Sequence, residues 1–150
     1  MRMIYKPLAK DKHITISTRL LFVFLVLACN PALANLWMPY WYDEELTNYY
    51  DPIWVKKNGN LVEFEVLTDL LGVQTTADYK QYLSYISVLE YDCIAETYTR
   101  KSVSNWSKPF AGGEQVGEMI GGFSQDIKIL PRTMAAELFA IICGRRLVQP

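Results

Sequence analysis

The chain has 150 residues, 51% hydrophobic and 21% charged, a composition that sustains a buried core and excludes a disordered polymer. Lys and Arg total 15 against 16 Asp and Glu, a net charge of -1, so no overall basic field draws the chain to nucleic acid or anionic lipid. A single His and three Cys exclude Cys/His zinc fingers and most His-centred catalysis.

Arg2, Lys6, Lys10, Lys12 and Arg19 precede an uncharged apolar run at residues 20–28. As a helix this run rises about 14 Å, well short of the roughly 30 Å of bilayer hydrocarbon. Ala32-Leu33-Ala34 follows with the small residues a signal peptidase accepts, which predicts a removable secretory signal over residues 1–34. A second reading competes: Val26-Leu27-Ala28-Cys29 resembles a bacterial lipobox, and lipidation of Cys29 is the membrane attachment it implies. Leu27 is bulky where a small residue is usual.

Loss of residues 1–34 removes five basic residues and one acid, leaving 10 Lys/Arg against 15 Asp/Glu, an acidic balance of -5. His13 goes too, so residues 35–150 hold no His and only two Cys, Cys93 and Cys143. Ser-His-Asp triads, His-ligated metals and His-held haem are thereby excluded, and no cofactor is expected. In an oxidising compartment the two Cys are expected to bond; the alternative is a pair of buried thiols.

Residues 35–50 form an aromatic lead-in with Trp37, Tyr40, Trp41, Tyr42, Tyr49 and Tyr50. Pro39 argues against an uninterrupted helix, and the rings are expected to cover a sheet edge or core. The main domain is expected over residues 51–150. Its first two extended runs flank Lys57-Asn58-Gly59-Asn60, where Asn-Gly predicts a tight hairpin turn. In the second run Val62, Phe64 and Val66 alternate with Glu63 and Glu65, placing one face inward. Residues 70–78, with Gly72, Thr75, Thr76 and Asp78, predict a loop. Residues 79–93 predict a strand whose parity class Leu83, Tyr85, Leu89, Tyr91 and Cys93 faces the core, and residues 95–106 predict a partly exposed partner strand.

The glycines of residues 111–123 fit no phosphate-binding motif, because no Gly-Lys-Ser/Thr follows; they predict turns around a short strand near 114–120. After Pro131, residues 133–143 predict a helix with Thr133 as N-cap, a stripe of Met134, Leu138 and Ile141 or Ile142, and Gly144 as terminator. Arg145 and Arg146 then lie at the negative end of the helix dipole. The fold class expected is α+β: a curved antiparallel sheet of about five or six strands carrying one C-terminal helix and one disulfide.

These residues resemble the bacterial surface-adhesin protein E family across about residues 41–143. The resemblance rests on Tyr50-Asp51 before the strand into Asn58-Gly59-Asn60, on Glu90-Tyr91-Asp92-Cys93, on Arg100, on residues 113–116, and on a Pro131-led helix ending at Cys143. Family members carry a Trp shortly before that Pro and a Gly-Ser after it, and Asp126 to Thr133 here has neither. The resemblance implies a small exported Gram-negative envelope protein whose eponymous relative is an outer-membrane lipoprotein that binds host matrix and serum proteins.

The expected function is therefore a non-enzymatic envelope protein, periplasmic or surface-displayed, that binds another macromolecule of host or envelope origin. Rings among Tyr40, Trp41, Tyr42 and Trp106 are the candidate anchors where they prove exposed, although each such ring is more often core than anchor. A self-associating structural subunit, joined through an open sheet edge, is the first alternative. A carboxylate-based hydrolase is the second, using Asp51, Asp69, Glu90 or Asp92 as an acid/base couple; Asp92 is more simply a structural carboxylate accepting bonds from backbone or Arg100.

Overall fold

Short polar turns between long alternating runs leave antiparallel pairing as the economical arrangement, and the computed structural model, which describes residues 36–147, shows that outcome. The predicted signal segment and Cys29 lie outside the described residues. The elements are β1 (Met38–Tyr42), β2 (Leu46–Asn58), β3 (Leu61–Thr75), β4 (Gln81–Asp92), β5 (Thr97–Lys108), β6 (Gly112–Ile120), β7 (Ile127–Lys128) and α1 (Met134–Cys143). The strands pair in the order β1-β2-β3-β4-β5-β6, all antiparallel. The short β7 takes the part of the β5 edge that β6 leaves free, pairing Ile127 with Tyr98. β1 and β6 are not paired with each other, so the sheet stays open.

The Asn58-Gly59 turn joins β2 to β3 with Gly59 at φ 61°, the left-handed conformation that a tight hairpin needs. The alternation in β3 points Val62, Phe64 and Val66 to one face, where Leu89 and Tyr91 of β4 stand opposite. The predicted inward parity of β4 holds for Leu89, Tyr91 and Cys93 at its core end. Leu83 and Tyr85 are half-buried beyond it, and Ser84, on the other parity, is fully buried on the opposite face.

That opposite face is covered by the β5–β6 turn. Phe110 and Ala111 both have positive φ, 54° and 51°, in a turn closed by Gly112 N donating to Pro109 O at 3.0 Å. Such a conformation is strained for residues other than Gly, and tertiary contacts hold it. Phe110 N donates to Asp69 Oδ1 at 2.6 Å, Ala111 N donates to Ser84 Oγ at 3.0 Å, and the Phe110 ring lies 5.1 Å from that of Tyr49.

Residues 70–78 are a correction. β3 continues to Thr75 rather than giving way to a loop, because a register shift between Asp69 and Gln74 absorbs Gly72 as an irregularity within the strand. Leu71 N donates to Glu45 O at 2.9 Å, tying this extension to the β1–β2 turn. The β3–β4 turn is thereby reduced to the residues around Asp78.

α1 starts and stops where its sequence signals place it: the Thr133 side chain accepts from Ala136 N, and Gly144 adopts the left-handed conformation at φ 67°. Its buried stripe keeps Leu138 and Ile142 of the prediction but takes in Phe139 in place of Met134. Leu138, Phe139 and Ile142 face the sheet, while Met134 and Ile141 are exposed. The reason is Cys143, which must point at the end of β4 to bond Cys93, and this rotates Phe139, one turn earlier, inward. Phe139 stacks on Tyr91 at 6.3 Å, and Tyr91 meets Phe64 edge-on at 4.9 Å. The disulfide joins Cα atoms 5.6 Å apart across 50 residues of sequence. Arg145 donates to Cys93 O and pairs with Glu96 at 3.4 Å, so it reinforces the same junction as well as lying at the helix end.

Closing a loop of this length restricts the unfolded chain by about 4 kcal/mol in the loop-entropy description. Replacing both Cys93 and Cys143 by Ser is expected to lower stability by about 3–4 kcal/mol with retention of the sheet signal, measured as the shift in urea midpoint at unchanged slope.

Candidate functional site

The four candidate anchor rings do not form one patch. Tyr40 is half-buried, packs edge-on against Tyr50 at 6.3 Å and lies against the core, and burial pushes its hydroxyl well above the usual tyrosine range. Trp41 is half-buried, with Nε1 donating to Asp43 Oδ2 at 3.4 Å. Trp106 is half-buried opposite Ser84, with Nε1 donating to Ser104 Oγ at 3.2 Å. Tyr42 alone of the four stands free, 82% exposed at the end of β1.

Sequence reasoning did not identify the side chains that accompany Tyr42 at this end of the sheet. The β1–β2 turn is shaped by Asp43, whose Oδ1 accepts from Glu45 N at 2.8 Å and Leu46 N at 3.0 Å. The β3 extension tied to that turn exposes Leu71 and Val73, and Tyr79 in the β3–β4 turn is 89% exposed. Gly72 between two apolar residues was the available signal, since a strand irregularity turns Leu and Val outward where a loop reading dismisses them.

The four carboxylates do not converge. Asp51 is buried and accepts from Ile53 N at 2.8 Å; Asp69 holds the Phe110 turn; Glu90 pairs with Lys101 at 2.7 Å. Asp92 Oδ1 accepts from Ile94 N and Ala95 N, both at 2.8 Å, and its Oδ2 accepts from Asn60 Nδ2 at 2.6 Å. Its partners are thus backbone and Asn60, not Arg100. Burial pushes the Asp69 carboxyl up, against the opposing Phe110 N–H, whereas the Ala95 N–H, the Asn60 amide and the Ile94 N–H hold Asp92 below the usual carboxylate value. Among the described residues, no cluster of three or more His, Cys, Asp or Glu is placed to hold a metal ion.

Arg100 instead faces the helix-bearing side of the sheet, opposite Leu89. It lines a cavity of about 80 Å³ with Ser87, Asn48, Thr68, Tyr40, Tyr85 and the start of α1. Thr68 Oγ1 donates to Asn48 Oδ1 at 2.5 Å, and Asn48 Nδ2 donates to Met134 Sδ at 3.4 Å. The apolar row of β3 and β4 therefore gives way to a polar one where α1 begins.

An open antiparallel sheet with one helix disulfide-bonded across one face defines a recognisable class of small α+β protein. The sequence matches the surface-adhesin protein E family over residues 37–144, and the chain belongs to that family. Two solved structures of Haemophilus influenzae protein E share its fold at 14% identity. One gives a TM-score of 0.53 over 73% of this chain and 95% of that one; the other gives 0.52 over 73% and 92%. No curated protein sequence matches the chain.

The Asp92 geometry carries a pH signature. A carboxyl with a lowered folded pKa contributes stability that is present above its unfolded value and lost as pH falls through the folded one. Asp92→Asn is expected to lower Tm at neutral pH and to flatten the loss of Tm between about pH 5 and pH 2, compared by thermal unfolding of parent and variant.

Proposed function

We propose that the chain is a non-enzymatic exported envelope protein that binds another macromolecule, of host or envelope origin, at the cell surface. Membership of the surface-adhesin protein E family carries this reading. The local structural work done by Asp51, Asp69, Glu90 and Asp92 supports it, because none is paired with another as an acid/base couple. The contact surface we assign is the sheet end bearing Tyr42, Leu71, Val73 and Tyr79. Exposed aromatic and branched side chains there supply apolar contact area that the fold itself does not use. Of the four rings picked from sequence, Tyr42 is retained as an anchor.

Export by way of the segment before Asn35 belongs to the same reading. Among the described residues no helix is long and apolar enough to cross a membrane; lipidation of Cys29 is the membrane attachment this reading allows. Mass spectrometry of the exported chain distinguishes the two: a free N-terminus at Asn35 is expected, and a diacylglyceryl mass on Cys29 is the alternative result. Labelling of intact cells with a membrane-impermeant reagent tests display, and a protein labelled only after lysis is not a surface binder. Tyr42→Ala combined with Tyr79→Ala is expected to leave Tm within about 1 °C and weaken binding to the cell-surface or matrix ligand at least tenfold, measured by biolayer interferometry.

A second reading, self-association, is favoured by one observation: the β6 edge is open and ends in exposed Met119 and Ile120. Light scattering on the eluting protein at rising concentration separates the two, since a strict monomer excludes it.

A further inference from the structure

The cavity on the helix-bearing face contains two polar atoms that nothing in the protein satisfies. Ser87 is 2% exposed and its Oγ has no hydrogen-bond partner; the Nε of Arg100 is buried and equally unpartnered. Among the described residues Arg100 has no ion pair; the pairs formed are Lys56–Glu63, Lys80–Asp78, Lys101–Glu90, and Glu96 with Lys128 and Arg145. The Arg100 guanidinium carbon stands 5.8 Å from the Phe123 ring, a contact that does not replace the hydrogen bond the buried Nε–H lacks. A buried guanidinium N–H and a buried hydroxyl left unpaired in the wall of one cavity are costly unless a ligand or ordered water completes them.

We infer that this cavity is a binding site for a carboxylate, held by Arg100 and the Ser87 hydroxyl. A planar anion with two acceptor oxygens matches a guanidinium edge, and one cation balances one carboxylate. The cavity volume of about 80 Å³ admits a group of that size, since one water needs roughly 10–15 Å³ of such space. Val66, Leu89 and Ala135 in the wall suit a short aliphatic stem. The Tyr40 and Tyr91 hydroxyls in the same wall stay protonated because burial opposes their ionisation, so they add no competing charge. Met134, 42% exposed, stands at the solvent side.

Arg100 also lines a more open groove of about 390 Å³ with Val103, Asn105, Met119 and Phe123, where Asp78, paired with Lys80, and Glu118 are the acidic residues a carboxylate must pass. A carboxylate reaching Arg100 therefore arrives as a free small acid or as the C-terminal carboxylate of a peptide lying in that groove. The inference stands apart from the proposed surface binding, which uses the other residues named above.

The test is a titration of the isotope-labelled exported chain, following the backbone amide resonances of residues 87–89 and 100 in parent and variants and the Arg100 Nε–H resonance in the parent, with sodium propionate, with sodium chloride at matched ionic strength, and with a short Ala-Gly peptide as free acid and as amide. A saturable shift with propionate or with the free-acid peptide, absent with chloride and with the amide, is expected. Propionate alone identifies a free acid as ligand and the peptide alone a chain terminus. Ser87→Ala and Arg100→Lys, which keep volume or charge, are expected to raise the dissociation constant about tenfold or more while the Tm of the unliganded chain is unchanged or rises, because each removes an unsatisfied group. The absence of any saturable shift, an equal response to chloride, or unchanged affinity in both variants overturns the inference.

Discussion

Burial of one side of a ten-residue helix against the middle of the sheet is the contact on which the remaining structure depends. Such a short helix is marginal alone, and an open sheet cannot leave a row of Phe64, Leu89 and Tyr91 in water. Each therefore stabilises the other. The Cys93–Cys143 bond reinforces the arrangement by removing from the unfolded ensemble the states in which the end of the helix drifts away from the end of β4. Arg145, bonded to Cys93 O and paired with Glu96, adds a polar seam to the same corner.

A second, smaller burial lies on the opposite face. The β5–β6 turn folds over β3 and β4, where Leu67 and Ser84 are fully buried beneath Phe110 and Tyr49. Two non-glycine residues are held at positive φ to achieve it, which shows that the contacts to Asp69 and Ser84 outweigh local backbone preference. With both faces engaged at different ends, the sheet edges and turn tips are the parts free to meet a partner.

The helix covers only part of its face. Beyond its N-terminus the inward row changes from Val66 and Leu89 to Thr68, Asn48, Ser87 and Arg100. Filling such a space with apolar side chains would have been the simpler route to stability, so the unsatisfied Ser87 and Arg100 mark it as a place where the protein carries a cost. Family membership indicates the protein's class but not the use of this cavity.

Local chemistry was legible in the residues themselves. Asn58-Gly59 dictates a hairpin by backbone sterics, Val62-Phe64-Val66 dictates a face by the period of a strand, and Thr133 and Gly144 bound a helix by capping. Long-range choices were not. Whether Gly72 ends β3 or sits inside it depends on Glu45, far away in sequence, offering its carbonyl to Leu71. Which of two overlapping stripes of α1 is buried depends on the direction of Cys93, and the fate of Arg100 depends on a register shift between Val88 and Leu89. Sequence alone thus determined the β2–β3 hairpin, the inward row of β3 and the bounds of α1, because these follow from neighbours a few residues apart, and it offered the two sulfurs as a pair only through the expected oxidising compartment. Only the tertiary structure decided helix rotation, the outward turn of Leu71 and Val73, and the unpaired charge in the cavity, because each is settled by a partner that the chain meets only once folded.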